Sequence, residues 1–176
     1  MDAAGVLFDV DGTLVDTTFV NAVCWAEALR QQGRPVATRE TRDAIGMSGD
    51  RLLDRVAPGL DVVLASSATD EELAALTSAI DADDAITAST SSSDVDSGKP
   101  APDILQVALD KTGLDPERVV FVGDAVWDGE AAKRAGVRFV ALTCGGTCEA
   151  DLREAGAVAV FRDPAELLEN LDEIIG

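Results

Sequence analysis

Two carboxylates, Asp9 and Asp11, stand two residues apart directly after the apolar run Val6-Leu7-Phe8, and Gly12 and Thr13 follow them. An unbroken apolar run of this kind fits a strand buried on both faces. Where such a strand ends, side chains at i and i+2 of extended backbone point to the same side. Gly12 permits a sharp turn and close backbone approach, and Thr13 adds a hydroxyl. Two acids so placed repel, so one takes up a proton unless a cation offsets the charge. The arrangement suits a carboxylate nucleophile beside a carboxyl proton donor, with a metal ion balancing the charge. A calcium loop fits worse, because Gly12 comes too early and no Glu stands at the closing position.

The elements that must position these residues alternate along the chain. After Thr17, Phe19, Val23, Ala26 and Leu29 keep a helical period until Gly33 and Pro35 stop it. A second helical region, from about Arg39 to Ile45, breaks at Gly46-Met47-Ser48-Gly49, resumes through Leu52, Leu53 and Val56, and ends at Pro58-Gly59. Residues 60–65 form a short apolar strand, with Ser66-Ser67-Ala68 at its end. Thr69-Asp70-Glu71-Glu72 is a capping box that opens a helix through Ile80. Residues 86–88 read as a third strand and 89–97 as a Ser/Thr-rich loop of low complexity. Lys99-Pro100 leads into a helix ending at Gly113. Val119 to Val122 is a strand ending at Gly123-Asp124, and a short helix covers 129–135. A strand over 139–142, a turn over 143–146, an edge strand over 158–160 and one helix capped by Asp163-Pro164 complete the chain. The alternation predicts an α/β fold: a doubly wound, Rossmann-like parallel sheet with helices on both faces.

The bulk properties narrow the function classes. With 176 residues the chain can form one well-buried domain, and 47% hydrophobic with 27% charged residues is ordinary for a globular protein. A formal net charge of −19 argues against nucleic acid as a partner, whose phosphates it would repel. The same acidity would repel a phosphorylated substrate, so any phosphate site must be neutralised locally by a metal and a Lys. The three Lys against eleven Arg carry no assignment. No membrane-spanning stretch and no signal peptide are expected, and the odd number of Cys, three, fits a reducing cytoplasm. Cys144 and Cys148 bracket two glycines, but with no His in the chain they read as inert thiols and not as a zinc site.

In such a sheet, ligands bind beyond the carboxyl ends of the strands. Asp9 with Asp11, Ser66, and Gly123-Asp124 all fall at such ends, and Lys99 lies at a loop-to-helix junction. Taken singly, Ser66 is a turn residue, Lys99 a solvated side chain, and Gly123-Asp124 an ordinary strand-to-helix turn. Their order, each at the end of its element, is what carries the signal.

The stretch Asp9-Val10-Asp11-Gly12-Thr13-Leu14-Val15-Asp16-Thr17 resembles the first motif of the haloacid dehalogenase superfamily, in its phosphatase and phosphomutase branch. Ser66, Lys99 and Gly123-Asp124-Ala125-Val126-Trp127-Asp128 stand where that family's other three motifs follow. The resemblance covers residues 5–135. It implies that Asp9 attacks phosphorus and becomes an aspartyl-phosphate, while Asp11 protonates the leaving group and then activates water. It implies that Ser66, with Ser67 beside it, contacts the phosphoryl oxygens, and that Lys99 neutralises both that group and Asp9. Magnesium is the implied cofactor, held by Asp9, Asp124 and the backbone carbonyl of Asp11, with Asp128 binding through water or serving as the second acid of its motif.

The same resemblance divides the chain into a core over 1–16 and 60–176 and a helical cap over 17–59, where Gly46 and Arg51 are candidate substrate contacts. In chains of this cap type further helices precede the Ser66 strand, whereas here Pro58-Gly59 runs straight into it. Either the cap is a reduced one, or a segment of the natural protein is absent at this junction. The leading expectation is a magnesium-dependent phosphatase of small phosphorylated metabolites, cytoplasmic and monomeric or dimeric. A sugar-phosphate mutase of the β-phosphoglucomutase type is the alternative within the enzyme class, and a non-catalytic metal-binding regulator on the same fold is the alternative from another class.

Overall fold

The computed structural model describes residues 3–15 and 59–176. The cap expected over 17–59, with Gly46 and Arg51, lies outside the described residues but for Gly59. Six parallel strands form one sheet: β1 (Gly5–Phe8), β2 (Asp61–Ala65), β3 (Ala88–Thr90), β4 (Val119–Gly123), β5 (Arg138–Leu142) and β6 (Ala159–Phe161). Their spatial order is β3-β2-β1-β4-β5-β6. The order reverses between β1 and β4, which lie side by side with Phe8 opposite Val122. In an open parallel sheet that reversal opens a crevice at the strands' carboxyl ends.

Among the described residues, six α-helices accompany the strands: α1 (Asp70–Ile80), α2 (Asp103–Thr112), α3 (Val126–Ala135), α4 (Glu149–Glu154), α5 (Pro164–Glu169) and α6 (Leu171–Ile175). Alternation along the strands sorts the core into two layers. Val6, Phe8, Val62, Leu64, Val120 and Val122 point to one face and pack with Leu73 and Ile80 of α1, Leu167 of α5 and Leu171 of α6. Leu7, Val63, Phe121 and Phe139 point to the other and pack with Leu105 of α2, Ala131 and Ala132 of α3 and Leu152 of α4. Both faces are covered, which is why β1, β2 and β4 are apolar without a polar alternation. The doubly wound α/β architecture is the one the alternation of elements indicates.

Four local readings change. The third strand spans Ala88–Thr90 and not 86–88, because Asp83–Ala85 form a 3-10 turn that spends those residues descending from α1. Its register places Val63 opposite Ala88, and the buried Thr90 hydroxyl donates to the Leu64 carbonyl at 3.3 Å. The Ser/Thr-rich stretch therefore begins as sheet, with Ser91 capping the turn that follows. Helix α3 starts at Val126, three residues earlier than expected, because Asp128 caps it from within its own first turn. Helix α4 went unseen, for in six residues it buries only Leu152. The last helix is two, divided at Asn170.

The capping box of α1 is present as read: the Thr69 side chain accepts from the Glu72 amide, and the Glu72 carboxylate accepts from the Thr69 amide at 2.9 Å. Leu105, fully buried on the α2 face, tests the layer assignment. Leu105→Ala should lower unfolding free energy by about 2–5 kcal/mol, the range for a cavity left in a packed core. Urea denaturation should show a lower midpoint at unchanged slope.

Candidate active site

Asp9, Ser66 and Asp124 reach the crevice because a strand ends just before each of them. Asp9 follows β1 directly, and its amide still donates to the Val122 carbonyl at 2.8 Å, so it remains pinned to β4. The chain then turns: Leu14 and Val15 amides both donate to the Val10 carbonyl at 3.0 Å, and Gly12 takes φ of 79°. Asp124 comes off the end of β4, and Asp128 sits one turn into α3. Ser66 follows β2, where its amide donates to the Thr90 carbonyl at 3.1 Å.

Lys99 is the centre of the charge pattern. Its ammonium pairs with Asp9 Oδ1 and lies 2.7 Å from Asp128 Oδ1. All three side chains are nearly shut off from solvent, at 8% exposure for Lys99, 8% for Asp9 and 3% for Asp128. The Lys99 ammonium also lies 5.3 Å from the centre of the Phe121 ring, within cation–π range. The second oxygen of Asp128 accepts from the Asp124 amide at 3.2 Å and the Ala125 amide at 3.0 Å. Asp128 thus caps α3 with one oxygen and holds Lys99 with the other.

Asp124 closes the group. One carboxylate oxygen from each of Asp9, Asp124 and Asp128 lies within 4.8 Å of the other two. Thr13 Oγ1 donates to Asp124 Oδ1 at 3.3 Å, a contact that ties the turn after β1 to the end of β4. Asp11 is directed differently: its carboxylate accepts from Ser66 Oγ at 3.4 Å and takes no part in that three-carboxylate group. Ser66 Oγ also accepts from the Ala68 amide at 3.0 Å, and Ser67 beside it is exposed.

Three carboxylates share one Lys, and the proton affinities register the excess. Burial pushes the Asp9 carboxyl well above the usual carboxylate range; Lys99 opposes this, and Asp128 and Asp124 add to it. Burial and then the Asp128 charge raise Asp124 to about 6. Burial disfavours the Lys99 ammonium, but Asp9 and Asp128 outweigh it and hold its pKa above the ordinary lysine value. A divalent cation held by hard oxygen ligands would remove the imbalance, and this donor set contains carboxylates alone.

Sequence reasoning placed the turn after β5 but not its closeness to the site. Cys144 Sγ donates to the Gly12 carbonyl at 3.1 Å, so this half-buried thiol lies at the edge of the site. Burial, with the nearby Asp124 charge next, pushes it up to about 12, which keeps it a thiol. Cys148 is exposed, at the amino end of α4. The available signal was the pair Gly145-Gly146 in the turn that follows a strand, in a sheet whose strand ends carry the site. A surface groove of about 740 Å³ bounded by Val126, Glu130, Lys133, Asp151 and Glu154 shares no residue with the carboxylate group.

With this geometry, the likenesses to known proteins fall on the same segments. The family described as haloacid dehalogenase-like hydrolase matches residues 51–136, which hold Ser66, Lys99, Asp124 and Asp128. The chain is 35% identical over 78 residues to N-acetylmuramic acid 6-phosphate phosphatase of Pseudomonas aeruginosa, covering 44% of this chain and 34% of that one. It is 44% identical over 52 residues to phosphoglycolate phosphatase of Escherichia coli, covering 30% and 21%. The matches thus span about a third and about a fifth of these relatives' lengths. Over nearly the whole fold it resembles the crystal structure of a hydrolase from Pseudomonas syringae, with a TM-score of 0.80, 28% identity, and 98% of this chain and 100% of that chain covered. Motif order, sheet topology and these likenesses agree: the chain is similar to the haloacid dehalogenase-like hydrolases.

Proposed function

We propose that this protein is a magnesium-dependent phosphatase that hydrolyses small phosphate monoesters through an aspartyl-phosphate on Asp9. The observation that carries the reading is the Asp9–Lys99–Asp128 chain of ion pairs with Asp124 alongside, set at the sheet's reversal point. The match to the haloacid dehalogenase-like hydrolase family and the two phosphatase relatives support it. Both relatives are named for phosphate esters of small, hydroxylated acids, so a metabolite of that class is the proposed substrate.

Each side chain has a role its surroundings suit. Asp9 attacks phosphorus; the bond from phosphorus to the ester oxygen breaks, and Asp11 gives that oxygen its proton. Water, deprotonated by Asp11, then attacks phosphorus and releases phosphate and free Asp9. The Ser66 hydroxyl, which here donates to Asp11, steadies that acid and lies ready to donate to a phosphoryl oxygen. Lys99 offsets the charge of the phosphoryl group and of Asp9 together, and stabilisation of spreading charge is most of what this transfer asks of a protein. Magnesium would be held by Asp9, Asp124 and the Asp11 carbonyl with Asp128 behind them, and when bound it supplies further charge neutralisation. The short sequence between Thr17 and Leu60 favours hydrolysis over mutase chemistry, because a small cap would let water capture the aspartyl-phosphate first.

The two acids separate by mutation. Asp9→Asn should abolish turnover of 4-nitrophenyl phosphate in steady-state assays. Asp11→Asn should retain measurable release of 4-nitrophenolate, because so good a leaving group needs little proton donation. Equal residual rates in the two variants would contradict the assignment.

The metal can be followed without turnover. In metal-free protein the raised Asp124 favours the folded state fully below about 3.9, the unfolded carboxylate value, and that gain is lost as pH rises through about 6. A cation takes the proton's place. The rise in Tm on adding Mg2+ should therefore be large at about pH 7.5 and small at about pH 5, since protons compete for the same oxygens. An Mg2+ effect that grows on acidification would remove the metal from this site.

A third expectation concerns breadth. Contacts to the unreactive part of a substrate normally help lower the barrier, and a short cap segment offers few of them. Across a panel of phosphorylated sugars and hydroxy acids, kcat/KM should vary by less than about tenfold, or 1.4 kcal/mol. A single metabolite preferred far beyond that range would show that the segment over 17–59 does read the substrate.

A further inference from the structure

The turn after β5 lies against the carboxylate group, although none of its residues belongs to the catalytic set. A Cβ added at Gly145 would overlap the Asp124 carboxylate outright and would still lie 2.7 Å from the Asp124 Cβ. The second contact decides the matter. Rotating the carboxylate about χ1 cannot move Cβ, so any side chain at 145 must displace the turn or the backbone of Asp124. A Cβ at Gly12 would meet the same carboxylate, at 2.7 Å from Oδ2. Two bare stretches of backbone therefore lie close against the Asp124 carboxylate, with the Thr13 hydroxyl on Oδ1. Cys144, next to Gly145, donates its thiol proton to the Gly12 carbonyl at 3.1 Å, which fastens these two stretches to one another.

We propose that Gly145 and Cys144 are positioning residues for the metal-binding carboxylate Asp124. Gly145 is the wall that leaves room for Asp124 to face Asp9 and Asp128, and Cys144 locks that wall to the Gly12 turn. The inference rests on the metal reading of the carboxylate group given above. Neither residue touches the reacting atoms; both act through Asp124. The thiol is used as a hydrogen-bond donor and not as a nucleophile or redox centre, in keeping with its burial.

The test is the Mg2+ dependence of thermal unfolding, read on the full chain with Mg2+ alone as the probe. Gly145→Ala should unfold cooperatively in EDTA yet need about 10–100-fold more Mg2+ for the same rise in Tm, the loss expected when the support of a metal ligand is removed. Cys144→Ala should require several-fold more Mg2+, whereas Cys144→Ser, which keeps a hydrogen-bond donor, should stay within about twofold of the parent. A purely packing role for Cys144 would move the alanine and serine variants together. With saturating Mg2+, Gly145→Ala should recover most of its kcat on 4-nitrophenyl phosphate. An unchanged Mg2+ dependence in Gly145→Ala overturns the proposal, and so do Cys144→Ala and Cys144→Ser variants that match. If Gly145→Ala fails to melt cooperatively, the Cys144 pair decides alone. A parent protein that binds Mg2+ but cleaves no phosphate ester removes the proposed function and leaves this inference standing.

Discussion

The buried contact between one ammonium and two carboxylates is the constraint on which the rest of the structure depends. Lys99, Asp9 and Asp128 come from three distant parts of the chain and meet where solvent scarcely reaches. Taking such ions from water costs several kcal/mol each, and their attraction repays this only with good geometry and further hydrogen bonds. Those further bonds are present. Asp128 receives two backbone amides of the α3 amino end, and Lys99 rests over the Phe121 ring. Asp124 is less well compensated: the Thr13 hydroxyl donates to it at a long 3.3 Å, and burial with the Asp128 charge raises its carboxyl to about 6. A group arranged this way gains from a cation or a bound phosphoryl group, and loses from being left empty at neutral pH.

How much of this was legible depends on the range of the interaction involved. The strands β1, β2 and β4 were readable because burial on both faces leaves a continuous apolar run, which needs no partner to be recognised. Asp9, Asp11, Ser66 and Asp124 were readable because they follow those runs immediately. The start of α3 was not, since its cap is an internal one: Asp128 reaches back to amides at 124 and 125, so no Ser, Thr or Asp stands at the usual position ahead of the helix. Thr90 was hidden among Ser and Thr residues that looked like loop, because its burial depends on a hydroxyl bond to β2 that no local pattern reveals.

Pairings across sequence were beyond reach except where the family resemblance implied them, as for Lys99 with Asp9. Nothing near residue 144 announces that its thiol meets the carbonyl of Gly12, at a separation of 132 residues. That Lys99 spans two acids instead of one follows from where α3 docks, and a motif that names the residues does not contain it. The direction of Asp11 toward Ser66 is of the same kind. In each case the sequence supplies the chemical type while the sheet's topology supplies the partner.

Helix α3 shows how topology does this with few residues. Its amino end presents Asp128 to the Lys99 ammonium at 2.7 Å, and two turns on, Arg134 donates to the Pro100 carbonyl at 2.7 Å and pairs with Glu130 at 2.9 Å. One rigid helix therefore grips the 99–100 segment at two points, through a buried side-chain pair and an exposed backbone contact. The exposed contact contributes little energy alone, as surface charge interactions do. Its consequence is geometric. Lys99 is a long side chain with about 2 kcal/mol of rotamer freedom to lose, and that loss falls before substrate arrives when the backbone behind it is already fixed. Because α3 itself begins where β4 ends, the positions of Lys99, Asp124 and Asp128 are all set by one strand-to-helix junction. A shift of that junction would move all three charges together and leave Asp9, anchored on β1, as the member out of register.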